Sequence, residues 1–277
     1  MRAKSMVLRV VTYAAAILTV LILLFIVGYI LVQGVPNLSL DLFAWEYNSE
    51  NVSLMPALIN TILMTLLSLI IAVPLGVFSA IYLVEYAKRG NKFVSIVRLT
   101  TETLSGIPSI VYGLFGMLFF VTALGWGLSL IAGALTLTIM ILPLIMRTTE
   151  EALQSVPDTY REGSFGLGAG KLRTVFKIVL PSAVPGISAG VILAIGRIVG
   201  ETAALIYTAG TVAALPTNGL LSSTRTLSVH MYVLAGEGLH VEQAYATAVV
   251  LLVIVVGINA LSAMLAKKLT KGQGSNA

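Results

Sequence analysis

Arg197 and Glu201 are the residues of this chain whose type and spacing most invite chemistry. They stand four apart in an otherwise apolar and small-residue stretch, 183–208, so a helix there would carry both on one face. A charge at the centre of a membrane helix costs roughly 2.5–3.5 kcal/mol on insertion scales, so its presence needs a reason. One reason is a self-neutralising pair that fastens this helix to a neighbour. The other is a guanidinium whose planar donor fork meets an oxyanion, with Glu201 holding it in place and Thr202 and Thr208 adding hydroxyls. Other chemistry is scarce. The chain has no Cys, which excludes thiolate metal sites and a Cys nucleophile. Its two His, His230 and His240, lack further ligands, so we expect surface polar contacts and no metal. The twelve carboxylates are scattered, and no nucleophile–base pair supports a membrane hydrolase.

The elements that must position these residues follow from composition. Of 277 residues, 57% are hydrophobic and 10% charged, where a soluble domain would be about a quarter charged. With a mean hydropathy of +0.97, the chain falls among membrane proteins. Charge-free runs long enough to cross a bilayer predict six helices, at about 8–32, 55–84, 100–123, 127–147, 183–208 and 243–266. Gly125-Trp126-Gly127 reads as the turn between the third and fourth. The first run is too long for a signal peptide, and no small-residue site ends it. Pro108 should break or kink the third helix near its start, where Ser105 and Ser109 lie. Gly186, Gly190, Gly196 and Gly200 form two small-x3-small pairs that would let the fifth helix pack backbone to backbone.

Lys and Arg set the orientation. Fifteen of the seventeen basic residues fall before helix one, between two and three, between four and five, or after six. The opposite loops hold Arg225 together with Asp41, Glu46, Glu50, Glu237 and Glu242. Both termini are therefore expected in the cytoplasm, with 41–51 and 209–242 outside. The cytoplasmic loop 148–181 is the most structured of these segments. Ser155-Val156-Pro157-Asp158 reads as a helix start and Gly168 or Gly170 as its stop. A second short helix begins at Lys171, with Leu172, Val175, Phe176 and Val179 at helical spacing, and Pro181 should end it. Such an amphipathic hairpin suits either a docking partner or the lipid surface.

Within that loop Glu162-Gly163-Ser164, Gly168, Ile178 and Leu180-Pro181 follow the spacing E-A-A-x3-G-x9-I-x-L-P. This resembles the cytoplasmic signature of permease subunits of ATP-binding-cassette importers, with Gly163-Ser164 in place of two alanines. The segments 102–113 (ETLSGIPSIVYG) and 196–203 (GRIVGETA) are similar to the phosphate-specific transport permeases. The short N-terminal region and Lys-rich tail resemble the A-type rather than the C-type of the two permeases such systems pair. The resemblance implies an all-α, six-helix type I importer permease (MetI-like) fold, with residues 1–53 as entry helix and external loop, 54–268 as transport core and 269–277 as tail. It implies that Glu162, Gly163, Ser164, Gly168, Ile178, Leu180 and Pro181 couple to a separate ATPase. It further implies a homologous permease as partner, two ATPase copies, an external phosphate-binding protein, and a bacterial or archaeal plasma membrane. ATP and Mg would be bound by the ATPase, with no cofactor on this chain. Gly166-Leu167-Gly168-Ala169-Gly170-Lys171 is not a phosphate loop, because its spacing is one short and Leu172 follows the Lys. The rival readings are a permease for another oxyanion, sulfate or molybdate, and a secondary transporter relaying protons through Glu201.

Overall fold

The structure, a computed structural model, describes the backbone of residues 2–88 and 90–274 and the side chains of 6–88, 90–261, 263 and 264. Arg2, Lys4, Arg89, Lys267, Lys268 and Lys271 of the charge reading, and the end of the tail, thus lie outside the described side chains. In chain order the helices are α1 (Arg2–Gly34), α2 (Met55–Ile81), α3 (Lys92–Ser105), α4 (Ser109–Gly116), α5 (Leu130–Gln154), α6 (Asp158–Gly166), α7 (Lys171–Thr174), α8 (Leu180–Val199), α9 (Ala203–Ile206), α10 (Leu227–Glu237) and α11 (Val241–Gly274). Wider π turns prolong α2 over Tyr82–Tyr86 and α4 over Met117–Ala123, and join α7 to α8 over Val175–Val179. Among the described residues there is no strand.

Five of these segments are long and apolar enough to cross a membrane, and α3 with the α4 segment makes a sixth when counted as one bent span. The all-helical, six-span expectation therefore holds. α5 is the centre. Ser129 caps it by accepting from the Ala132 N–H, and most of its residues are buried against α2 on one side and α8 on the other. On α2, Asn60, Met64, Ser68, Ala72, Gly76 and Ala80 form a buried stripe that meets α5 at Ser68 and Gly76. Its spacing of four gives one continuous ridge, and its small side chains bring the two backbones close. At Gly76 an added Cβ would lie 2.7 Å from the Ile145 side chain.

Two sequence expectations are corrected, both on the fifth helix, while the third takes the sharper of its two expected forms. It is broken at Pro108, and α3 and α4 meet at 104°. Pro108 cannot donate and keeps the preceding residue out of the helical region. The Leu104 carbonyl instead accepts from the Tyr112 hydroxyl at 2.7 Å. The fifth helix begins at Lys171 and runs through Pro181 without stopping. The π turn over Val175–Val179 shifts the hydrogen-bond ladder just before Pro181. At its other end this helix stops at Val199 rather than 208, and Gly200 to Thr202 separate it from α9.

Candidate functional site

The early end of α8 relocates Arg197. It sits in the last turn of the helix, where the carbonyl end of the macrodipole favours a cation. It lines a cavity of about 680 Å³ together with Arg98, Glu102, Ser105, Arg147, Glu150 and Glu151, among others. Two arginines of that cavity are matched: Arg98 Nε lies 3.0 Å from Glu150, and Arg147 Nε 3.0 Å from Glu151. Among the described residues Arg197 has no carboxylate within ion-pair distance. Its donors face the cavity unclaimed.

The expected Arg197–Glu201 pair is not formed. Beyond Val199 the helical register is lost, so a spacing of four no longer means a shared face. Glu201 is buried, and its Oε1 accepts the Ala204 N–H at 3.0 Å, capping α9. Its carbonyl accepts the Ser228 hydroxyl. Thr202 lends its carbonyl to the N–H groups of Leu205 and Ile206, and the Thr208 hydroxyl donates to the Ala204 carbonyl at 2.8 Å. The three pathway candidates are thus divided: Arg197 lines the cavity, while Glu201 and Thr202 build the turn behind it.

The glycine pairs are divided as well. A Cβ at Gly186 would come within 2.7 Å of Ala152, and one at Gly190 would overlap Thr148, so these two seat α8 on α5. Gly196 and Gly200 approach no neighbouring helix, since nothing beyond the local backbone lies within 4 Å of a Cβ there.

The 155–181 hairpin takes the expected form with a sharper division of labour. α6 ends at Gly166, and Gly168 adopts φ +82, a conformation that strains any residue with a Cβ. Glu162, Gly163, Gly168 and Pro181 are exposed. Ser164 is buried and bonds Thr174 across the hairpin at 2.8 Å, so it fastens the two arms rather than meeting a partner. Ile178 and Leu180 are half-buried, and Leu180 packs on the cluster of Ile81, Leu153, Val175 and Val179. The tip presents Leu167, 91% exposed, with Phe165 and Leu172 beside it. An apolar tip on a polar hairpin suits a protein groove.

Two clusters escaped the sequence reading. Arg161 is the hub of the hairpin base. Its Nη2 lies 2.7 Å from Glu85 Oε1 and 2.9 Å from the Leu153 carbonyl, and its Nη1 donates to the Val156 carbonyl at 2.8 Å. The second cluster closes the expected external end. Arg225 is 4% exposed and holds its guanidinium 4.8 Å from the centre of the Tyr47 ring. His230 stacks edge-on against the same ring at 6.1 Å. It is fully buried, which corrects the expected surface role. Burial, then the neighbouring Arg225 charge, push its pKa down to about 3. The one sequence signal for this cluster was that Arg225 is the sole basic residue expected on that side.

The family model described as "binding-protein-dependent transport system inner membrane component" matches residues 72–271. The chain is 41% identical over 199 residues to the probable ABC transporter permease protein YqgI of Bacillus subtilis, covering 71% of this chain and 67% of that protein. It is 35% identical over 211 residues to the phosphate transport system permease protein PstA 1 of Mycobacterium tuberculosis, covering 76% and 69%. Its fold is similar to a chain in the crystal structure of a bacterial alginate ABC transporter in complex with an alginate pentasaccharide-bound periplasmic protein. That match has a TM-score of 0.65 at 20% identity and covers 92% of this chain and 95% of the other.

Proposed function

We propose, on the premise that the chain belongs to the family of binding-protein-dependent transport system inner membrane components, that Arg197 meets inorganic phosphate in transit and that the 155–181 hairpin docks a separate ATPase. The chain is a multi-pass membrane protein and the permease subunit of an ATP-binding-cassette phosphate importer, with the type I permease fold. The unpaired Arg197 carries the finer reading. A phosphate ion crossing a low-dielectric barrier needs a compensating cation. A guanidinium whose charge is already paired with a carboxylate offers less, as for Arg98 and Arg147 in the same cavity. The free fork of Arg197 meets two phosphate oxygens at once, and a single arginine is weak enough to release them.

The partners follow from this architecture. A homologous permease closes the other half of the path, two ATPase copies hold ATP and Mg, and an external binding protein delivers phosphate. Glu162, Gly163 and Gly168 with the Leu167 tip form the docking face, while Ser164, Ile178, Leu180 and Pro181 shape it from behind. Both termini lie in the cytoplasm. Cys introduced at position 48 should then react with an impermeant thiol reagent in intact cells, and Cys at 270 should not.

The test of the central role is radiolabelled phosphate uptake in cells lacking the native chain. Arg197→Gln should insert and assemble normally yet lose at least 90% of uptake, with excess sulfate failing to compete in the wild type. Because Glu201 caps α9 and does not neutralise Arg197, adding Glu201→Gln should restore nothing. Robust uptake by Arg197→Gln would remove Arg197 from the path, and effective competition by sulfate would favour the broader oxyanion reading.

A further inference from the structure

The cytoplasmic hairpin and the outer loops lie at opposite ends of the molecule, yet α2 holds both. With its π turn α2 runs 32 residues from Met55 to Tyr86, about 48 Å at 1.5 Å per residue. Consecutive residues at its inner end grip the two arms of the hairpin. Glu85 Oε1 accepts from Arg161 Nη2 at 2.7 Å and from Nε at 3.2 Å, and the side chains are only 8% and 15% exposed. The Tyr86 ring lies 5.1 Å from Lys171 Nζ. Arg161 precedes the docking face on the first arm, and Lys171 opens the second.

The outer end of α2 grips the outer loops just as directly. Asn60 Nδ2 donates to the carbonyls of Ala214, at 2.9 Å, and Arg225, at 3.3 Å. Thr61 Oγ1 accepts the N–H of Leu227, the first residue of α10, at 2.8 Å. Both side chains are buried. Between these grips α2 packs closely along α5 through its stripe of small residues, with the Ser68 hydroxyl donating to the Ala134 carbonyl at 3.1 Å.

We infer that α2 is the transmission rod of the transporter, taking up motion of the hairpin through Glu85–Arg161 and Tyr86–Lys171 and delivering it to the outer loops through Asn60 and Thr61. This rests on the hairpin being the ATPase dock. The Glu85–Arg161 pair and the Asn60 and Thr61 bonds are short and largely withdrawn from solvent, with the exposed Tyr86–Lys171 contact beside them, so displacing one end must either carry the other or break a named contact. The coupling belongs to the two grips in series, and breaking either should interrupt it.

The experiment uses the complete transporter, purified with its ATPase and reconstituted in vesicles. Phosphate moved per ATP hydrolysed is measured together with the ATP-dependent change in labelling of a Cys placed at the exposed Asn218 of the outer loop. Glu85→Gln and Asn60→Ala should each keep the ATPase bound and hydrolysing, lower phosphate per ATP at least fivefold, and abolish the labelling change. The double variant should be no worse than the poorer single. A wild-type ratio in both single variants, or losses that multiply in the double, would overturn the rod. Should Glu85→Gln fail to assemble, Tyr86→Leu tests the same end through the milder contact, with at least a twofold loss expected and no loss overturning it. A wild-type chain that binds no ATPase would overturn the docking reading, and this inference with it.

Discussion

Arg161 at the hairpin end, expected inside, and Arg225 at the other end, expected outside, are both largely removed from solvent, and they are held in opposite ways. Arg161 is matched by the Glu85 carboxylate, by Asp158 at 3.1 Å and by two carbonyls. Arg225 has the face of Tyr47 and, among the described residues, no carboxylate within ion-pair distance; its Nε and Nη2 are without hydrogen-bond partners. The inner arginine is a fixed joint, because its fork is saturated and leaving it strands a buried carboxylate. The outer arginine is held by shape and an aromatic quadrupole, a weaker and less directional restraint. On the proposal that the hairpin docks the ATPase, the driven end is the stiff one and the opposite end tolerates rearrangement.

The largest test of this contrast is Arg161→Met, which keeps the length of the side chain and removes the charge. It leaves Glu85 buried without its partner, for which about 3 kcal/mol of destabilisation is the expected scale. The unfolding midpoint of the detergent-purified chain should fall clearly, and adding Glu85→Gln should recover part of the loss. If Arg161→Met is silent, the inner end is not a fixed joint.

A smaller effect is expected from pH at the outer end. Folded His230 has its pKa lowered to about 3, against about 6.5 in the unfolded chain. Below pH 6.5 the unfolded state therefore binds more protons, and stability contributed by neutral His230 declines progressively as pH falls from about 6.5 towards 3. His230→Leu should flatten that part of the pH profile of the unfolding midpoint. An unchanged profile would show that the ring is accessible to protons in the folded state.

The smallest effect should come from Arg225→Met. It forfeits a cation–π contact of about 1–2 kcal/mol but also removes a buried cation that no carboxylate matches, and the two changes offset. A shift in unfolding midpoint well below that of Arg161→Met is expected. A loss as large as that of Arg161→Met would show that Arg225 is as firmly matched as Arg161, and would end the contrast.

How much of this was readable follows from distance along the chain. The hairpin is local: Asp158, Gly168 and Lys171 lie within fourteen residues, and capping, breaking and spacing set its shape from sequence alone. Arg161 was visible as a basic residue, but its partner Glu85 is 76 positions away. The outer cluster joins Tyr47, Arg225 and His230, and Asn60 reaches across 165 positions to the Arg225 carbonyl. No local pattern encodes such meetings.

The sequence by itself determined an all-helical membrane chain, the number of crossings, the hairpin with its Gly168 turn, and Arg197 as the cation of interest. These depend on hydropathy, on charge placement and on backbone preferences within a few residues. Tertiary structure alone decided which charges meet. Spacing alone paired Arg197 with Glu201, because four residues share a face only while the helix continues. α8 ends at Val199, Glu201 turns to cap α9, and Arg197 is left facing a cavity whose other arginines are already matched by Glu150 and Glu151.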